Sequence, residues 1–176
     1  MASGDDHTAR PGQPSRGLTA ILAPSLTREA VFDALAAGRS YATTGQRIWL
    51  DFRVDGFLMG QVLTVTLPHS PSIEVQVAGT GVLSTVQVIK YDGITYTVPF
   101  SVTGIPGREI AFTWADPDLS GDAFYYIRLA QAEPVGGRAV MAWSSPVWVR
   151  TIAAERARLY LPLVVHDATV LTHRED

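Results

Sequence analysis

The chain has 176 residues, of which 47% are hydrophobic and 18% charged, with a formal net charge of −3. That apolar content is enough for a buried core and excludes wholesale disorder, and the 14 basic residues, all Arg except Lys90, are too scattered for the basic stripe of a nucleic-acid binder. There is no cysteine, so disulfides and thiolate metal sites are excluded.

Residues 1–16 are rich in Gly, Pro, Ser and charge and read as irregular backbone. The acidic start, Met1 to His7, lacks the apolar segment of a secretory signal. Leu18 to Leu22 suits a brief buried strand. A helix is expected over Arg28 to Ala37. Thr27 can cap its first amides, Leu26 and Val31 are placed for a hydrophobic staple, and Glu29 suits its positive end. Val31, Ala34 and Leu35 form its apolar face, and Gly38 supplies a left-handed terminator.

From Ser40 the apolar period falls from 3.6 to 2. Ile48, Leu50, Phe52 and Val54 alternate with polar or exposed neighbours up to a turn at Asp55-Gly56. Strands follow at Val62 to Leu67, Ile73 to Val77, and Val82 to Tyr91. Asp92-Gly93 then signals a two-residue hairpin into Ile94 to Phe100. Ile110 to Trp114, Phe124 to Ala130 and Val140 to Val149 complete the series. Eight short strands at this spacing predict an immunoglobulin-like antiparallel β-sandwich. Its Trp and Tyr residues serve first as core and cross-strand pairs; turned outward they would make a carbohydrate platform. Beyond it, Thr151 to Arg158 suits a short helix and Leu159 to Val165 an edge strand, and this last apolar run is too short, and broken by Pro162, to cross a bilayer.

Asp5 and His7 can point to one side of a turning segment, and carboxylate and imidazole are natural ligands for Zn, Mn or Fe. Two ligands alone do not make a site, and the plain alternative is a solvated acidic terminus. A longer pattern adds weight. Ser3-Gly4-Asp5-Asp6-His7-Thr8-Ala9-Arg10-Pro11-Gly12, Gly17-Leu18-Thr19-Ala20, Leu26-Thr27-Arg28-Glu29-Ala30-Val31-Phe32-Asp33-Ala34-Leu35 and Arg39-Ser40-Tyr41-Ala42-Thr43-Thr44-Gly45 resemble the C-terminal part of large uncharacterised proteins. The front half of those proteins is a PHP-type (polymerase and histidinol phosphatase) metallohydrolase domain. Asp51 to Gly56, Phe124 to Arg128 and Ala142 to Val149 resemble the accessory sandwich that follows it.

The resemblance implies a mainly β chain: residues 1–45 as the remnant of an α/β barrel with one helix, 46–150 as the sandwich, and 151–176 as an extension. It implies Asp5 and His7 as the last two metal ligands, with Arg39, Tyr41, Thr43 and Thr44 bracing the site from a loop. A plain turn ahead of the first sandwich strand is the alternative for those four. The family's His-x-His motif and its further ligands have no counterpart here, and His69, His166 and His173 lie in a sandwich loop and the tail. The expected function is therefore that of the C-terminal portion of a metal-dependent, phosphoesterase-like hydrolase. The divalent metal and the missing N-terminal barrel belong to the parent protein, and this chain retains no metal and is inactive alone. The alternative is a stand-alone immunoglobulin-like module binding protein or glycan. Residues 1–45 are expected to be less stable than the sandwich.

Overall fold

The computed structural model describes residues 1–4, 7 and 16–154. Their elements are β1 (Leu18–Ile21), α1 (Arg28–Ala36), β2 (Ser40–Thr43), β3 (Trp49–Val54), β4 (Phe57–Leu58), β5 (Val62–Leu67), β6 (Ser72–Ala78), β7 (Leu83–Tyr91), β8 (Tyr96–Thr103), β9 (Glu109–Ala115), β10 (Ala123–Gln131), β11 (Met141–Ser144) and β12 (Val147–Ala153). They form a mainly β, sandwich-like arrangement with one helix. The larger sheet runs β1-β2-β11-β10-β12-β5, with β7 also on β10 and β8 on β7; the smaller runs β4-β3-β6-β9.

The period-2 pattern becomes the core directly. Leu50, Phe52 and Val54 of β3 and Ile73, Val75 and Val77 of β6 are buried against Val86 and Val88 of β7, Tyr125, Ile127 and Leu129 of β10, and Val147 and Val149 of β12. Their sequence neighbours alternate to the outside, as a pleated strand requires.

Several local expectations are corrected. The stretch Val140 to Val149 divides at Ser145-Pro146 into β11 and β12, which occupy successive lengths of the same edge of β10. Pro146 has no N–H with which to continue that ladder. The β7–β8 hairpin turns over Asp92 to Thr95, four residues and not two, because Asp92 Oδ1 accepts from the amides of both Ile94 (2.9 Å) and Thr95 (2.8 Å). β1 is half-buried, an edge strand whose strand partner among the described residues is β2. β12 pairs with β5 in parallel, the exception in an otherwise antiparallel set among the described residues. Most of the sandwich lies between these two strands in sequence, which supplies the long crossover a parallel pair needs. Thr151 to Ala153 belong to β12 and not to a helix. The expected strand at Leu159 to Val165 lies outside the described residues, as do His166 and His173.

Helix α1 begins where its capping residue predicts: the Ala30 amide donates to Thr27 Oγ1 at 3.2 Å. It ends ahead of Gly38 at φ 68°. The staple does not form, since Leu26 is 98% exposed. Ala34 is the residue that α1 buries, with Val31 half-buried; Leu35 and Phe32 face outward.

Candidate functional site

The N-terminal residues are laid along β1. Thr19 Oγ1 accepts from the Ala2 amide (2.9 Å) and donates to the Ala2 carbonyl (2.8 Å), and an Arg16 guanidinium nitrogen donates to the Gly4 carbonyl at 2.8 Å. Gly17 permits this approach, because a Cβ there would come within 2.6 Å of the Ser3 carbonyl. The backbone entering the Asp5 segment is thereby tied to the sheet edge. His7 is exposed; Asp5 and Asp6 lie outside the described residues.

The four bracing residues do not form a loop. Ser40 to Thr43 are strand β2, paired with β1 on one side and β11 on the other, so strand pairing runs across residue 45 from the N-terminal stretch into the sandwich. Tyr41 is turned into the core and donates its hydroxyl to the Ile48 carbonyl at 2.7 Å; burial pushes its pKa up. Thr43 is buried and accepts from the Gly45 amide at 3.2 Å. Thr44 Oγ1 accepts from the Met141 amide (3.0 Å) and donates to the Ala139 carbonyl (2.9 Å), locking β2 to β11. Arg39 is half-buried, and its backbone bridges the Ala34 carbonyl and the Leu22 amide. Thr43 and Thr44, with Ala2, Gly17, Arg138 and Trp143, line a cleft of about 260 Å³. The structure therefore brings the N-terminal residues and two of the four bracing residues to one place, and commits Tyr41 to packing.

Among the described residues, no group of three or more His, Asp or Glu side chains is placed to hold a metal ion. With His7 the one described member of the expected pair, the donors present do not by themselves fit a metal centre, and no chemical step through an ion follows from them.

Two polar constellations had no signal in local spacing. At the β3–β4 turn Asp55 takes φ 49°, its Oδ2 lies 2.7 Å from His69 Nε2, and its Oδ1 accepts from the Ser72 amide at 2.8 Å. Deeper in, Asp116 Oδ2 receives both Lys90 Nζ and the Tyr125 hydroxyl at 2.6 Å. Burial works to raise the Asp116 pKa, but the hydrogen bonds from Lys90, Tyr125 and the Asp118 amide outweigh it and hold the carboxyl low. Burial, and then the hydrogen bond to Asp116, push the Tyr125 hydroxyl far up.

The described residues define a β-sandwich whose first strand has Ala2 and Gly4 tied to its edge through Thr19 and Arg16. Residues 3–62 match a family described as "Protein of unknown function (DUF3604)". The chain is also similar to uncharacterised proteins of Chlamydia pneumoniae, 36% identical over 157 residues, and of Chlamydia trachomatis, 32% identical over 152 residues. Each match covers 78% of this chain and 23% of the relative, so the chain spans about a quarter of the length of the curated relatives it matches.

Proposed function

We propose that this chain is the C-terminal portion of a metal-dependent hydrolase acting on phosphoesters, to which it contributes Asp5 and His7 as ligands and the sandwich as an accessory body. The observation that carries the reading is the outer face of α1. Leu26, just ahead of the cap, is 98% exposed, and on the helix Phe32 is 69% and Leu35 37% exposed, one strand beyond the ligand-bearing segment. Such an apolar face is out of place on a free surface and suits burial against another body. The relatives, which extend well beyond the match, have the length to supply one. We assign that face to the barrel of the parent protein. The resemblance of Ser3 to Gly12 to the last ligand motif of the PHP-type family supports the same assignment.

In this reading β1 and β2 are a rigid base. They hold Ala2 beside Thr43 and Thr44 and tie Gly4 to Arg16, which supports an entry of the following segment into the barrel from this edge. A bound divalent metal would supply the hydroxide and the polarisation of the scissile bond. This chain alone, with an incomplete ligand set, turns over nothing.

The test is to read the DNA upstream of Met1 in frame, express the extended protein, and measure its metal content and its hydrolysis of p-nitrophenyl phosphate. Stoichiometric metal that falls in Asp5→Asn and His7→Ala, together with chelator-sensitive hydrolysis, is expected. A stop codon immediately upstream, or an extended protein whose metal content ignores both substitutions, overturns the proposal.

A further inference from the structure

A second feature, independent of the hydrolase reading, lies on the outer face of the larger sheet. The strand register places Tyr96 of β8 opposite Tyr91 of β7, Tyr91 opposite Phe124 of β10, Phe124 opposite Trp148 of β12, and Trp148 opposite Val62 of β5. One row of side chains thus crosses five strands. Their sequence neighbours Lys90, Ala123, Tyr125, Val147 and Val149 are buried on the inner face, which leaves the row itself outward. Tyr96 is 60% and Trp148 39% exposed. Four rings form a continuous pavement: Tyr91 lies 4.6 Å from Tyr96 and 5.1 Å from Phe124 between centroids, and Tyr126 extends it 6.5 Å from Phe124, with Trp148 next along the register on β12.

An open cleft of about 440 Å³ lies over this row, walled by Asp122 and Arg150. Asp122 is held in place: its Oδ1 accepts from the Thr151 amide at 2.7 Å and the Thr151 hydroxyl at 3.0 Å. We propose that this cleft binds a neutral saccharide, one pyranose ring stacking on Trp148 and Phe124 while its hydroxyl rim meets Asp122 and Arg150.

The physical match is specific. A pyranose has flat faces of C–H groups and an edge of hydroxyls, so it needs an aromatic floor with donors and acceptors at the margin. The two wall charges cancel, which favours a neutral polyol over a polyanion, and a lone Arg cannot neutralise a phosphate backbone. The stacking floor, Phe124 and Trp148, lies on β10 and β12, which are paired on both sides at these residues, so a peptide has no strand edge to join at the floor itself. The volume lies in the range of small-molecule sites.

The experiment is native affinity electrophoresis of the full chain in gels containing xylan, galactomannan, mixed-linkage β-glucan or starch. Retardation by at least one of these is expected. Trp148→Ala, which removes a stacking ring, and Arg150→Ala, which removes a wall donor, should each weaken it about tenfold. Trp49→Ala should not: Trp49 is also exposed, but lies on the smaller sheet. Thermal unfolding of each variant shows that it is folded, and the exposed position of Arg150 keeps the test open if the Trp148 variant is damaged. Mobility unaffected by all four polysaccharides overturns the proposal, as does retardation that survives both substitutions. Self-association lost in Trp148→Ala without any retardation would instead assign the face to a protein contact.

Discussion

Lys90 Nζ sits 2.6 Å from Asp116 Oδ2 inside the sandwich, joining β7 to the loop after β9. Lys90, the chain's single lysine, also donates to the Asp118 carbonyl at 2.9 Å, and the Asp118 amide donates to Asp116 Oδ1 at 3.0 Å. Each charge is therefore satisfied only while the other is present. Removing one partner of such a buried pair typically costs about 3–5 kcal/mol, because the survivor stays buried and uncompensated. Asp116→Leu and Lys90→Met should each lose that much in urea unfolding at pH 7, and the two together should lose less than the two single losses added. Additive losses would show that the pair is not coupled.

The same pair sets an acid limb. The folded pKa of Asp116 lies below its ordinary value, so its contribution is complete above the usual carboxylate range and is lost as pH falls through the folded value. The window thus opens below about pH 4. The stability gap between wild type and Asp116→Asn should narrow from pH 7 to pH 3. A constant gap would remove the linkage.

Gly60 is the point where α1 meets the sandwich. It has φ +90°, and a Cβ there would overlap the Ala37 carbonyl oxygen and lie 2.5 Å from the Gly38 carbonyl carbon. Its amide donates to the Pro146 carbonyl at 2.8 Å, so the backbone cannot simply retreat. Gly60→Ala should cost at least about 2 kcal/mol, from backbone strain with a clash added to it. Gly56→Ala, at φ +77° with nothing within 4 Å, should cost only the conformational penalty of about 1 kcal/mol. Equal losses at the two sites would mean that the contact with α1 contributes nothing.

The sheet position of β2 reverses the expectation that residues 1–45 are the weaker part. Removing them would unpair β11 along Ala142 to Ser144 and take Tyr41 from the core. A chain beginning at Gln46 should lose its cooperative unfolding transition. In the full chain, the Thr43 amide should exchange as slowly as those of β11. Fast exchange across β2 would restore the earlier view.

The outer face of α1 is a separate matter. Leu26→Ser and Phe32→Ala should change stability by no more than about 0.5 kcal/mol, since side chains this exposed and remote from special backbone positions do little. They should raise solubility of the chain by breaking an apolar patch. A large destabilisation would mean that the face is part of the fold.

What the sequence determined by itself is what local physics governs. Alternation placed the inward faces of β3, β6 and β10, because one pleat sends neighbouring side chains to opposite sides. Thr27 and Gly38 bounded α1, because capping is settled within one turn of chain. The segment from Ser3 to Gly12 marked Asp5 and His7 as expected ligands chiefly through resemblance to a family pattern. Tertiary structure decided the rest. The period of 2 that begins at Ser40 has one large apolar side chain, Tyr41, before Ile48, too little to mark a strand, and pairing with β1 and β11 on either side makes Ser40 to Thr43 one and sends Tyr41 inward. The pairs Asp55 with His69 and Lys90 with Asp116 span 14 and 26 positions, and the aromatic row joins five strands. Such relationships depend on which strands become neighbours, and that is fixed by burying the whole core at once, not by any window of sequence.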